Sequence, residues 1–420
     1  MKITIHRGAN QIGGCITTIS SGNCKILIDF GSNLPGSKKE ELSEEQIKDI
    51  AENADAVFYT HYHGDHVGLH HLIPSKIKQY IGAGAKEVML CKYETLNEYG
   101  DYSQHIKATK TMLPYYANRR IDVGGKGEIF VTPYFVSHSA FDAYMLTIEC
   151  EGKTILHTGD FRKHGYLGKG LIPTLEKYVG TVDILITEGT MLGRKQEQVV
   201  SENELQRNVT DILKEHKYVF ALCSSTDIDR LASFNASCKD TGRVFVVDEY
   251  QNKVLDIFSK YAGKHTVLYR FNPFRLINFK TENVKKKLIR EGFLMLIRAS
   301  SLPLVERMMD IYNDEKSWLI YSMWGGYTED NRDYANKNII TIRNFFEGRV
   351  FDGTKNGVHT SGHADVHTLA EVCNVVNPRI GVIPIHKDKY SEYESLPDIS
   401  KYKIFHEGNT TIENISISIQ

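Results

Sequence analysis

At 420 residues the chain exceeds what one ordinary hydrophobic core supports, so two domains are expected. Its 41% hydrophobic and 25% charged residues are those of a globular protein. A formal net charge of -1 argues against coating nucleic acid by bulk electrostatics, while leaving room for a local, metal-centred anion site.

The start, MKITIHRGAN, reads as a strand and lacks the apolar core of a signal peptide. Short apolar runs then alternate with helix-like segments, an α/β rhythm. The run Lys25–Ile28 ends at Asp29, and Val57–Tyr59 leads into His61 within YTHYHGDHVG. Thr154–Leu156 runs into His157 and, shortly after, Asp160; Ile184–Ile186 leads to Glu188. Next comes SENELQRNVTDILKE, where Ser201 and Glu204 predict a capping box and Leu205, Val209, Ile212 and Leu213 recur at helical spacing. The strand-like YVFALC, RVFVVD, FLMLIR and WLIYSM follow, so a second α/β unit is expected over residues 200–345. A helix and the strand Gly381–Ile385, ending at His386, then return to the first core. With no Pro/Ser-rich linker, the predicted organisation is 1–199 and 346–420 as one domain, with 200–345 inserted.

Apolar runs such as Phe293–Ile297 and Val382–Ile385 fall far short of the roughly 20 residues a membrane helix requires. Seven scattered cysteines without a C-x-x-C pair fit reduced thiols in a cytoplasm, and they read as core filler.

Five strand ends therefore aim chemistry at one edge, where loops can specialise while strands hold them. The H-x-H-x-D-H spacing offers His61, His63, Asp65 and His66 from one tight loop. Asp160 has two carboxylate oxygens and can bridge two ions, with His138 and His386 completing the set. Nitrogen and carboxylate ligands without thiolate suit zinc, and also manganese or iron. His70 and His71, just beyond the loop, are read as lying outside the ligand set. Arg162 and His164 are candidate substrate contacts, and the 23 tyrosines are read mainly as packing, with base stacking as the alternative.

These motifs resemble those of metallo-β-lactamase-fold hydrolases of the β-CASP group, which cleave nucleic acids, and within it most closely the ribonuclease J family. The resemblance runs through ILIDFG, THYHGDH, His138, HTGDF, ITEGT, HTSGHA and VIPIHKD, spanning essentially the whole chain. It implies an αββα sandwich with an inserted β-CASP α/β domain. It further implies two Zn2+ per chain, Mn2+ being an alternative, with His61, His63, His138 and Asp160 on one ion. Asp65, His66, Asp160 and His386 would hold the other, with Asp29 orienting the loop behind them.

Asp65, Glu188 and His363 are the implied catalytic positions. His363 would protonate the leaving oxygen, and Glu188 would hold that imidazole turned and charged. CSSTDIDR follows a strand as a related segment does in that family, so Ser224, Ser225, Arg230 and Ser361 are expected to form a phosphate pocket. The expected activity is hydrolysis of RNA in the cytoplasm, by 5′-to-3′ exonuclease or endonuclease action, with 5′-monophosphorylated RNA preferred and no membrane partner. Alternatives are a hydrolase of small esters or lactones, a DNA-directed β-CASP nuclease, or a non-catalytic RNA-binding relative. The sequence ends shortly after His386, so the family's C-terminal assembly domain is expected to be absent, which leaves a homodimer open.

Overall fold

In the first strand, Lys2–Arg7, Ile3 and Ile5 are wholly buried, the period of two expected of a strand with one face on a core. The computed structural model in which this is seen describes residues 1–194, 197, 199–278, 281–312, 315–329, 335–353 and 355–420. It divides into two units. Met1–Lys163, Leu167–Gln196 and Gly362–Gln420 form the first, and His164–Tyr166 with Glu197–Ser361 the second.

The first unit contains two sheets. One is built from β1 (Lys2–Arg7), β2 (Ile16–Ser21), β3 (Cys24–Ile28), β4 (Ala56–Phe58), β5 (Lys78–Gly82) and β6 (Leu113–Tyr115), with β19 (Gly408–Ile412) and β20 (Ile415–Ile419). Its order is β19-β20-β1-β2-β3-β4-β5-β6. The other contains β7 (Ile121–Asp122), β8 (Phe130–Val136), β9 (Ala143–Cys150), β10 (Lys153–His157), β11 (Ile184–Glu188) and β18 (Gly381–Ile385), in the order β18-β11-β10-β9-β8-β7.

Alternation explains the layers. Ile26 and Ile28 of β3, Phe58 of β4, Leu146 and Ile148 of β9, and Ile184 and Ile186 of β11 share one buried core, where the sheets face each other. The other face of the second sheet places Leu156, Leu185 and Val382 against Leu369, Val372, Cys373 and Val376 of the helix Val366–Val376. The helix Ala83–Leu96 lies against β5 and β6 and buries Ala85, Val88 and Met89. This is the αββα sandwich of the metallo-β-lactamase fold.

The second unit has one sheet, made of β12 (Tyr218–Leu222), β13 (Val244–Val247), β14 (Phe274–Arg275), β15 (Phe293–Ile297), β16 (Trp318–Tyr321) and β17 (Val350–Asp352). The order is β14-β13-β15-β12-β16-β17 and every pairing is parallel. All residues of β12 and β15 are buried, as continuous apolar runs in a parallel sheet require.

The helix Glu202–Glu215 starts where expected. Ser201 Oγ accepts from Glu204 N–H at 3.2 Å, the forward half of a capping box, and Leu205, Val209, Ile212 and Leu213 are buried. The second unit extends past the expected limit of residue 345 to Ser361, because β17 pairs with β16 through Leu319↔Val350 and Tyr321↔Asp352.

Candidate metal centre

Parallel pairing lines up the strand ends of the first unit. Ile28 sits opposite Phe58, His157 opposite Ile186, and Glu188 opposite Ile385, so the residues that follow leave at matching heights. Asp29 (φ 57°) and His386 (φ 50°) adopt left-handed backbone immediately after their strands, which turns the chain sharply at both positions. The loop carrying Asp65 lies close against Gly31, where a Cβ would come within 1.7 Å of Asp65 O. Only glycine permits that approach.

Hydrogen bonds behind the imidazoles decide where their protons sit. The Thr60 hydroxyl donates to Asp29 at 2.9 Å, so its oxygen is left to accept from His61 Nδ1 at 3.1 Å. His66 Nδ1 donates to Asp29 Oδ2 at 2.8 Å, and His138 Nδ1 to Gly362 O at 2.6 Å. The Thr190 hydroxyl donates to His386 O at 3.1 Å and therefore accepts from His386 Nδ1 at 2.7 Å.

In the neutral tautomer all four rings thus present a bare Nε2. His386 Nε2 faces Asp65 Oδ2 at 3.0 Å, His66 Nε2 faces Asp160 Oδ2 at 3.1 Å, and His138 Nε2 lies 3.2 Å from His63 Nδ1. His61 Nε2 and His66 Nε2 are buried without a hydrogen-bond partner. Lone pairs aimed at carboxylates and at each other repel unless protons or cations lie between them. A protein-bound Nδ1 with an inward Nε2 is also how metal-ligating histidines are held.

The potential donors fall into overlapping groups. Ligand atoms of His61, His63 and His138 lie within 4.8 Å of one another, as do those of His61, His66 and Asp160, and those of Asp160, Glu188, His363 and His386. Burial and the neighbouring imidazoles hold His61 and His138 well below the ordinary histidine range. Burial also brings His63 down to about 4. Those three rings are neutral, the form that binds metal. Burial would raise the Asp160 carboxyl, but His386, His66 and His363 hold it well below its usual range. Burial opposes charge on His66 as well, yet Asp160 and Asp29 hold it well above normal. The neutral His61, His63 and His138 beside the ionised Asp160 carboxylate are the kind of donors that a divalent metal takes.

His363 lies at the rim, with one fifth of its side chain exposed. Its Nδ1 donates to Glu188 Oε2 at 2.9 Å and lies 3.6 Å from Asp160 Oδ2. Glu188 Oε1 accepts from Phe161 N–H at 3.0 Å, which fixes the carboxylate. Burial alone would lower the His363 pKa; Glu188 and Asp160 outweigh it and raise it.

The other expected positions divide between the two units. In the second unit Ser224 is exposed, with Thr226 N–H donating to its Oγ at 3.4 Å, while Ser225 O accepts from Gln251 Nε2 at 2.9 Å. Ser361 O is paired with His164 Nε2 at 2.7 Å. The Arg230 guanidinium, expected to meet phosphate, is buried instead. It donates from Nη2 to Glu202 Oε1 at 3.1 Å and to Thr360 O at 3.2 Å, from Nε to Glu202 Oε2 at 3.4 Å, and from Nη1 to Ser322. Its planar fork is committed to holding that unit together.

In the first unit Arg162 is fully buried and its N–H donates to Ser137 O. His70 is tied to Val67 O and Thr109, His71 stacks on His105 with centroids 3.6 Å apart, and neither joins a ligand group. His157 likewise stays outside these groups, its Nδ1 accepting from Gly159 N–H at 3.2 Å. Sequence reasoning missed Thr60 and Thr190, whose hydroxyls orient His61 and His386. A threonine beside a ligand carries no spacing signal. Cys15, read as core filler, is buried as expected and lies near His66 and His386.

Fold and donor set together define a metallo-β-lactamase-fold protein with histidine- and aspartate-rich clusters that could hold metal. Residues 16–187 match the model of the Metallo-beta-lactamase superfamily. The chain is similar to ribonuclease J of Mycobacterium tuberculosis (strain CDC 1551 / Oshkosh), 26% identical over 171 residues, which are 39% of this chain and 28% of that protein. It is also similar to ribonuclease J of Helicobacter pylori (strain ATCC 700392 / 26695), 27% identical over 172 residues, which are 39% of this chain and 23% of that protein. The similarity thus spans about a quarter of the length of these relatives. A crystal structure of a protein of unknown function from Enterococcus faecalis V583 shares the fold with a TM-score of 0.71 at 17% identity, covering 98% of each chain. No helix among the described residues is long and apolar enough to cross a membrane.

Proposed function

We propose that the chain is a metal-dependent β-CASP nuclease that hydrolyses phosphodiester bonds in cytoplasmic RNA at a dinuclear zinc site. The observation that carries this reading is that Asp160 belongs to two donor groups, one with His61 and His66 and the other with Glu188, His363 and His386. His61, His63, His138 and Asp160 would hold one ion; Asp65, His66, Asp160 and His386 would hold the other. Ions held there would supply Lewis acidity toward a phosphoryl oxygen and a water made nucleophilic at neutral pH.

The chain's own residues do the rest. Asp29, Thr60, Gly362 and Thr190 keep the imidazoles in their ligand tautomers. His363 holds a proton at Nε2, since its Nδ1–H is committed to Glu188, and delivers it to the oxygen that departs from phosphorus. The names of the relatives support RNA as the substrate. We assign end recognition, with 5′-monophosphate preferred, to the Ser224–Ser225 turn and Ser361, with Arg230 acting as a structural group that pairs with Glu202.

The test compares metal-loaded protein on 5′-monophosphate, 5′-triphosphate and 5′-hydroxyl forms of one labelled RNA, on DNA, and on a chromogenic ester. RNA cleavage dependent on His363, fastest from the monophosphate end, is expected. Ester turnover without RNA cleavage would overturn the nuclease reading. Equal rates on all three RNA ends, with internal fragments, would remove the end preference and leave an endonuclease.

A further inference from the structure

The turn between β1 and β2 places a thiol against the ligands of the second ion. Cys15 is 1% exposed. Its N–H donates to Asp65 O at 2.9 Å and its carbonyl accepts from Gly31 N–H at 3.1 Å, so its backbone is tied to the metal loop and to the segment after Asp29. Its Sγ lies with the ligand nitrogens of His66 and His386 in one group, all within 4.8 Å of one another. Gly8 lies on the far side, where a Cβ would come 3.0 Å from that sulfur.

Among the described residues no other cysteine joins such a group. Cys24 Sγ lies 3.8 Å from Val123 O and Cys373 Sγ 3.7 Å from Tyr393 Oη, which are ordinary core contacts. Independently of the thiol, His66 Nε2 is buried without a hydrogen-bond partner, while His386 Nε2 lies 3.0 Å from Asp65 Oδ2. Two nitrogens and a sulfur therefore share one small volume, and one of those nitrogens has no hydrogen bond.

We propose that Cys15 is a further ligand of the ion held by Asp65, His66, Asp160 and His386, binding as a thiolate. The assignment rests on the metal-centre reading above. The Sγ–H proton passes to water as the sulfur–metal bond forms, so the site gains one negative charge and a soft donor. A soft donor shifts the preference of that position toward zinc or cadmium and away from manganese, which favours oxygen ligands. The two positions then differ in kind, one lined by three imidazoles and the other by a thiolate.

The test is spectroscopic and independent of turnover. Protein loaded with two cobalt(II) ions per chain is expected to show a near-ultraviolet thiolate-to-cobalt charge-transfer band. Cys15→Ser should lose that band while Cys24→Ser retains it. X-ray absorption at the zinc edge of the wild-type protein should find a sulfur neighbour at about 2.3 Å, and this measurement decides the matter if Cys15→Ser does not fold. A band that survives Cys15→Ser, or a zinc environment of nitrogen and oxygen only, overturns the assignment. If such a sulfur-free centre still cleaves RNA, the thiol proposal alone falls; a chain that takes up no metal sinks the centre itself.

Discussion

Glu188 Oε2 lies 2.9 Å from His363 Nδ1 while the other oxygen of the same carboxylate accepts a backbone N–H, so the acid that orients the imidazole is itself held fixed. On the proposed role of His363 as a proton carrier rather than a ligand, His363→Ala should keep the full metal content. It should lose cleavage rate by about 10²–10⁴-fold, the usual worth of a positioned general acid. Metal analysis combined with single-turnover kinetics checks this. Loss of an ion from His363→Ala would show that the side chain is a ligand.

Metal removal should expose the repulsion built into the centre. Wild-type protein is expected to carry two transition-metal ions per chain, and chelation should lower its thermal midpoint. At a free metal concentration 100-fold above the dissociation constant, each site contributes about 2.7 kcal/mol. His61→Ala should start with less metal and respond less to chelator. Calorimetry alongside elemental analysis tests it, and an unchanged midpoint on full metal removal would count against a preorganised site.

Burying Glu202 beneath Arg230 makes the second unit sensitive to either change. Arg230→Ala leaves a buried carboxylate without its guanidinium, which costs about 3–5 kcal/mol in a typical buried pair. The loss should appear as earlier unfolding of the second unit in urea, followed by amide exchange in Glu202–Glu215 and Ile228–Thr241. Replacing both members, as in Arg230→Met with Glu202→Leu, should recover much of it. A destabilisation below about 1 kcal/mol, the scale of a surface pair, would contradict the burial of the pair.

His6 gives the first unit a pH response. Burial first, then Lys25 and Lys2, hold its pKa at about 4, below the unfolded value of 6.5. Between those values the unfolded chain binds the proton and the native one does not. Stability from this group is therefore complete above pH 6.5 and declines as pH falls toward 4. His6→Gln, which can still meet Thr18 Oγ1 in place of Nε2 at 2.9 Å, should show a shallower loss between pH 7 and 4.5. Parallel slopes in urea titrations would refute the shift.

Much of the centre was legible because strand-end chemistry leaves a local mark. Asp29, His61, Glu188 and His386 each follow an apolar run, and the H-x-H-x-D-H loop compresses four candidate donors into six positions. What escaped depends on distant partners. Glu202 looks like a solvent-facing residue in the first turn of its helix, and only the fold brings Arg230 to it, 28 positions away. Thr60 and Thr190 matter through hydroxyl geometry, and Cys15 through a turn that lays it against the metal loop. The second-unit boundary was misplaced because the short β17, only three residues long, is recognisable by its pairing rather than its pattern.

Asp65 and His386 touch across 321 positions, and β20 joins β1 from the far end of the chain. A ribosome makes protein in one direction. Histidines 61, 63 and 138 emerge early, whereas the partner of Asp65 appears only after the whole second unit has been synthesised. Gly362, which holds His138 Nδ1, is equally late, so neither donor group can close before the second unit has been synthesised, and the first sheet keeps an open edge at β1 until residues 415–419 arrive. Maturation of this centre is necessarily a late event in the life of each molecule, ordered by translation itself.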